Sequence, residues 1–199
     1  MARIAITINE VLRDFLGQLE YTYEKYIGPI DLQEDEVKSL DLMDYFKFKD
    51  KHQFNKFLYQ EASLEIFGHA DQIEDNIMND FNQFIMDIED DEEHELELVS
   101  KEFDKSVPAT YFFLSKLVCK IKNVRFVKKY EHYWDGVDIL ITANPVALDE
   151  KPKDKTSVKI ETSYNKNSES DFTFETFRTM LKDEDTHIQI FNNVHLNEK

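Results

Sequence analysis

The sequence has a single cysteine, Cys119, in 199 residues, so an intrachain disulfide is impossible. Cys119 sits in the apolar stretch "YFFLSKLVCK", which marks it as a buried small residue rather than a nucleophile or metal ligand. Glycine and proline are scarce, at four each, while Asn, Ile and Phe are plentiful, a bias of the kind an AT-rich genome imposes on its codons. No run of eighteen apolar residues occurs, and no basic segment leads an apolar core at the N-terminus. Neither a membrane span nor a signal peptide is expected. Basic residues are outnumbered, 24 against 41 acidic, and the formal charge of −17 disfavours contact with nucleic-acid phosphates. The densest acid, "DIEDDEEHELE" at 87–97, reads as a solvated, flexible segment between two elements rather than a cation site. His69, His94, His132, His187 and His195 are scattered without a metal-ligand spacing.

What is present is enough apolar material, 41% of the chain, to bury one compact core. Short apolar runs predict strands at 3–7, 96–100, 123–127, 137–142 and 157–161, with 188–191 as a weaker sixth. Such continuous runs belong to strands covered on both faces, which is parallel-sheet patterning. Between the second and third runs lies "SVPATYFFLSKLVCK", where Ser106 suits a helix cap and Pro108 the first helical turn, giving a βαβ unit. Ile77, Phe81, Phe84, Ile85 and Ile88 recur at helical spacing and predict an amphipathic helix. The segment 20–90 therefore reads as a helical insertion between the first strand and the rest of the sheet. Within it, 43–67 carries more apolar residues than one helix face needs, which predicts an exposed docking patch. Trp134, Tyr130 and Tyr133 form an aromatic group before the fourth strand, read either as core packing or as an interface anchor.

With these elements placed, "AITINEVLRDF" at 5–15 resembles the first motif of the haloacid dehalogenase superfamily, and "VLRDF" its 5'(3')-deoxyribonucleotidase branch. In that motif two aspartates stand where this chain has Thr7 and Asn9, and a glycine where it has Glu10. "ELELVS" at 95–100 is similar to the second motif, ending in the phosphate-binding hydroxyl residue, here Ser100. "VDILITANP" at 137–145 resembles the fourth motif, with Thr142 and Ala143 at the positions of metal-binding acids. "VKIETSYNK" at 158–166 looks like the strand and turn that follow in the nucleotidases, and the third motif's lysine corresponds to Lys128 or Lys129. The resemblance implies a single α/β domain over 1–199, a Rossmann-like parallel sheet of the dehalogenase type with 20–90 as helical cap.

The departures from the motif set the functional expectation. In the family the first aspartate attacks phosphorus, the second acts as general acid and base, and Mg²⁺ is held by the first aspartate, the carbonyl of the second and an acid of the fourth motif. Thr7, Asn9, Thr142 and Ala143 remove nucleophile, proton carrier and metal ligands together. No catalytic residue, no metal site and no cofactor are expected, leaving Ser100, Lys128 and Lys129 as candidate anion binders. Degenerate dehalogenase-like proteins of this kind are carried by large tailed phages, including crAss-like ones. The expectation that follows is a pseudoenzyme used as a structural or interaction subunit: a virion ring, neck or tail component, assembled in the host cytoplasm with other structural proteins or as a homo-oligomeric ring. The alternative is a 5'(3')-deoxyribonucleotidase-like phosphatase, Mg²⁺-dependent, or a nucleotide-binding relic of one.

Overall fold

The computed structural model describes residues 2–30, 37–90, 94–183, 186 and 189–190. In chain order the elements are β1 (Ala2–Thr7), α1 (Phe15–Tyr26), α2 (Lys51–Lys56), α3 (Ile77–Asp90), β2 (His94–Lys101), α4 (Ser106–Lys116), β3 (Asn123–Val127), β4 (Ile139–Thr142), α5 (Pro145–Asp149), β5 (Thr156–Ile160), β6 (Phe172–Phe174) and α6 (Phe177–Lys182). The six strands form one sheet in the order β3-β2-β1-β4-β5-β6, and every neighbouring pair is parallel. β1 is central and buried at every position but Arg3, while β4 and β5 are buried throughout. That burial accounts for their continuous apolar runs.

Strand order reverses direction between β1 and β4. The chain winds outward through β2 and β3 on one side and through β5 and β6 on the other. The crevice beyond the carboxyl ends of β1 and β4 is therefore the natural binding position of such a sheet.

Five strands fall where the apolar runs predict them. The sixth does not. The run at 188–191 lies partly outside the described residues, with Gln189 and Ile190 helical. The sixth strand is β6, paired with β5 through Val158 and Phe172. Its three residues, flanked by Asp171 and Glu175, carry too short an apolar signal to stand out. The acidic stretch 87–97 is also more ordered than its composition predicts: 87–90 close α3 and 94–97 open β2, with 91–93 outside the described residues.

Two cores organise the helices. α3 presents Ile77, Phe81, Phe84, Ile85 and Ile88, the predicted stripe, to the sheet, and all five are buried beside Ile4, Ile6, Leu96 and Leu98. A second cluster joins Phe15, Leu19 and Tyr23 of α1 to Phe46, Phe54, Phe57, Leu58, Tyr59, Ile66 and Phe67. The helical unit over the sheet thus begins at α1 and extends to residue 68, and α3 packs with the sheet rather than with that unit.

The predicted docking patch at 43–67 is corrected by the same packing. Its aromatic residues are consumed internally, Phe48 meeting Tyr23, Phe54 and Phe57 with ring centroids 5.2–5.6 Å apart. Only Leu64, half exposed, remains as a large apolar side chain at the surface of that stretch. The surplus over one helix face exists because two π-helical turns, Phe57–Glu61 and Leu64–Gly68, follow α2 and bury side chains against α1, α4 and one another. Tyr133 and Trp134 are likewise core residues, Trp134 donating its indole N–H to the Ala147 carbonyl at 2.8 Å. Among the described residues no helix is long and apolar enough to cross a membrane.

Candidate functional site

Parallel pairing of Ile6 with Ile141 carries Thr7 and Thr142 to adjacent positions at the carboxyl edge of the sheet. Both are buried, and the Thr7 hydroxyl donates to the Thr142 hydroxyl at 3.0 Å. Thr142 also accepts the Asn144 backbone N–H at 3.0 Å. Asn144 in turn caps α5, its side chain accepting the Ala147 N–H at 3.0 Å. Ala143 is buried in the sheet core, and its carbonyl accepts the Asn165 side-chain amide at 3.0 Å. Asn165 donates a second bond to the Ile160 carbonyl at 2.7 Å, which locks the turn after β5 against β4.

The loop from β1 to α1 is built by three polar residues. Glu10 has a left-handed backbone, φ 59°, a conformation that glycine adopts without strain and that few other residues do. Its carboxylate accepts the N–H groups of Phe15 and Leu16 at 3.1 and 2.9 Å, occupying the donors of α1's first turn. Asp14 caps the same helix by accepting from the Gly17 N–H at 2.9 Å. Burial pushes the Asp14 carboxyl above its ordinary range; the Gly17 bond opposes the shift and the nearby Asp71 adds to it.

Arg13 is the largest fully buried side chain of this loop. Its guanidinium bonds the Asn9 amide oxygen through Nε at 2.9 Å and Nη2 at 2.5 Å. It pairs with Glu102 at 2.6 Å, and through Nη1 it reaches the Thr110 hydroxyl at 2.6 Å and the Phe67 carbonyl at 3.1 Å. Ser100 and Thr110 donate to the two Glu102 oxygens at 2.7 and 2.5 Å. The Phe67 and Phe113 rings face the guanidinium at 5.0 and 5.4 Å. Strand ends, α4 and the helical unit are tied together by this one network.

Above the strand ends, between the sheet and the helical unit, is a cleft of about 610 Å³ that is open to solvent. Thr7 and Asn9 contribute to its wall. Ser100, Lys128, Lys129, Thr142 and Ala143 do not. Ser100 is buried with its hydroxyl committed to Glu102, Lys128 is exposed, and Lys129 pairs with Glu131 at 3.0 Å on the surface.

The basic residues of the cavity are Lys38, Lys51 and Lys101, none of which the motif comparison points to. Lys101 follows Ser100 at the end of β2, its Nζ 4.2 Å from the centroid of the Tyr130 ring. Burial lowers the Lys101 ammonium's pKa, and the neighbouring Lys51 charge lowers it further. Its backbone N–H is held by the Tyr133 hydroxyl at 2.9 Å. Burial raises the phenols of Tyr59, Tyr130, Tyr133 and Tyr164, so they serve the cavity as neutral hydrogen-bonding and apolar surfaces. The one signal in the sequence for Lys101 is its place directly after the predicted strand end. Lys51 has none, because α2 reaches the cavity only through the packing of the helical unit.

The donor chemistry does not fit the Mg²⁺ of the resembled family. Thr7 and Thr142 bond each other and carry no charge, the Ala143 side chain has no ligand atom, and the Asn9 side-chain oxygen is bound to the Arg13 cation, whose charge repels a dication there. Among the described residues no three His, Cys, Asp or Glu side chains gather as a metal site. Cys119, expected to be buried, is only part-buried, packed at the margin of the sheet core, and burial raises its thiol pKa. No protein-family model matches the sequence, and no curated protein matches it either.

Proposed function

We propose that the chain is a catalytically inactive protein of the haloacid dehalogenase type, with the helical unit as a relic of the cap, acting as a structural or interaction subunit of a larger assembly. The observation that carries the reading is the buried Thr7–Thr142 hydroxyl pair, which stands where phosphoryl transfer requires a nucleophilic carboxylate and a metal-binding acid. A threonine hydroxyl held as a donor to another hydroxyl has no base beside it, and Asn9 offers no exchangeable proton near neutral pH. The left-handed backbone at Glu10 supports the motif alignment independently, because a glycine at that position is what the resembled motif carries. The assembly we favour is a tailed-phage virion, with the chain in a ring, neck or tail.

Large apolar side chains at the surface, among them Tyr21, Leu64, Tyr111 and Phe112, are compatible with contact to other subunits. The test has two arms. Purified protein with Mg²⁺ and a panel of deoxynucleoside monophosphates is expected to release no phosphate above background. Cryo-electron microscopy of the purified particle is expected to place the chain at fixed stoichiometry. A monomer absent from the particle that turns over a monophosphate overturns the proposal in favour of the nucleotidase reading.

A further inference from the structure

We propose that the exposed face built by α1, the π-helical turn Leu64–Gly68 and α4 is a self-complementary docking surface for a second copy of this chain, α4 of each copy lying over α1 of the other. Uncovered apolar surface is concentrated here. Among the described residues eight large apolar side chains are exposed, and six of them, Tyr21, Tyr26, Ile27, Leu64, Tyr111 and Phe112, belong to these three elements or to the C-cap of α1. Such residues scattered singly need no explanation, whereas a group of them on one face marks a contact surface.

The three elements form one continuous face. The turn Leu64–Gly68 packs against both α1 and α4. Leu64 and Phe112 converge over Gly68, where an added Cβ would lie 2.8 Å from Leu64 Cδ1 and 3.2 Å from Phe112 Cδ1, so the absent side chain is what lets them meet. The His69 ring lies 5.3 Å from that of Phe112. Toward α1, Glu65 pairs with Lys25 at 3.4 Å, and Tyr21 precedes Lys25 by one helical turn on the same side of the helix. Toward the sheet edge, the Tyr111 ring meets that of Phe126 on β3 at 5.5 Å.

The two flanks of this face carry opposite charge. From Lys105 to Tyr130, a stretch that includes all of α4, seven residues are basic and none is acidic, although the whole chain carries −17. Lys105 and Lys116, at the two ends of α4, are both exposed. On the other flank, α1 and the two π-helical turns hold Glu20, Glu24, Glu61 and Glu65 against Lys25 and the adjacent Lys56, which is negative by formal count. A partner of one charge sign matches one flank and opposes the other. A second copy matches both when its α1 meets α4 and its α4 meets α1, the two-fold arrangement of an isologous pair. Charge then sets the orientation, and the apolar centre around Leu64 and Phe112 supplies the buried area. The pairing rests on the reading of the chain as a subunit and names a neighbour for it; because it is measured in purified protein, it can fail while the chain is still found in a particle.

Sedimentation velocity of the whole chain tests it at physiological ionic strength, where repulsion between two acidic chains is screened beyond about 8 Å. A concentration-dependent equilibrium between monomer and dimer is expected. Phe112→Glu and Tyr111→Glu, both at exposed positions, are each expected to weaken the dimer tenfold or more with an unchanged circular dichroism spectrum, whereas Met86→Ser, at an exposed apolar position on α3, leaves it as it is. Orientation is read by charge reversal. Glu24→Lys with Glu65→Lys reverses the α1 flank, Lys105→Glu with Lys116→Glu reverses the α4 flank, and each double variant alone is expected to dimerise at least tenfold more weakly than wild type. Mixed one to one, the two are expected to regain that tenfold as a heterodimer, since each flank again meets its opposite. A chain that stays monomeric at several hundred micromolar, a dimer indifferent to both Phe112→Glu and Tyr111→Glu, or a mixture that associates no more tightly than its components overturns the proposal.

Discussion

Two charged centres lie near the strand ends, and they differ in how they are closed. Around Arg13 every partner is internal. The guanidinium, Glu102, Asn9, Ser100 and Thr110 bond one another, and Arg13 and Glu102 are fully or almost fully buried. Around Lys101 the centroid of the Tyr130 ring lies 4.2 Å from the ammonium, and burial first and the Lys51 charge second lower its pKa. Burial alone does not separate structural from binding charges. What separates them is whether the protein supplies the counter-charge itself. Glu102 takes up the Ser100 hydroxyl that the motif resemblance offers to an anion, so the internal centre is closed by its own partners, whereas among the described residues no carboxylate pairs with the Lys101 ammonium.

The largest expected effect breaks the closed centre. Arg13→Met leaves the Glu102 carboxylate buried with only hydroxyl partners, and loss of one member of such a pair costs roughly 3–5 kcal/mol. Chemical denaturation of the variant against wild type measures this, and a change under 1 kcal/mol would mean that the centre is solvated in solution. Arg13→Met combined with Glu102→Gln sharpens the point, because removing both charges is expected to recover at least half of the loss through their coupling.

The same contrast explains what the sequence made legible. β1, β4 and the α3 stripe were readable because their apolar residues are continuous or periodic within a dozen positions, and each packs on the sheet as that pattern requires. Arg13 and Glu102 were not, since a charged residue in a sequence reads as solvated until distant segments close over it, and here the partners come from β2, α4 and the helical unit. The strand-end positions Thr7 and Thr142 were legible through the motif spacing, but the cavity lysines were not. Lys51 and Lys101 are separated by fifty residues, and only the fold of the helical unit brings their charges together. The apolar excess at 43–67 is evident in composition, but its place inside the helical unit is not, because π-helical turns bury more of their circumference here than one amphipathic face would.

A smaller effect is expected between the two centres. Thr7→Val removes the donor to Thr142 but leaves Thr142 bonded to the Asn144 N–H. One buried neutral hydrogen bond is lost without a bare donor remaining, so the expected destabilisation is about 1 kcal/mol. Thermal unfolding of the variant reads it. A loss above about 3 kcal/mol would show that the hydroxyl pair organises the strand ends beyond its own bond.

The smallest effect has the opposite sign and belongs to the open centre. In the folded protein the Lys101 pKa lies below its ordinary value, through burial first and the Lys51 charge second. A lysine whose pKa falls on folding binds its proton less tightly in the native state than in the unfolded one. The charged form therefore opposes folding at all pH values below the native pKa, and the opposition fades as pH rises from there toward the unfolded value of about 10.4. Lys101→Met keeps the apolar stem and removes the charge. The variant is expected to melt slightly above wild type at pH 7, with the difference shrinking as the pH approaches 10.5. Contact with the Tyr130 ring favours the ammonium and trims the gain without reversing it, because the desolvation and the second cation act in the other direction. Melting curves at pH 7, 9 and 10.5 decide the matter. A variant less stable than wild type at neutral pH, with the gap closing at high pH, would mean that an internal anion already partners Lys101, and the distinction between a closed and an open centre would fall.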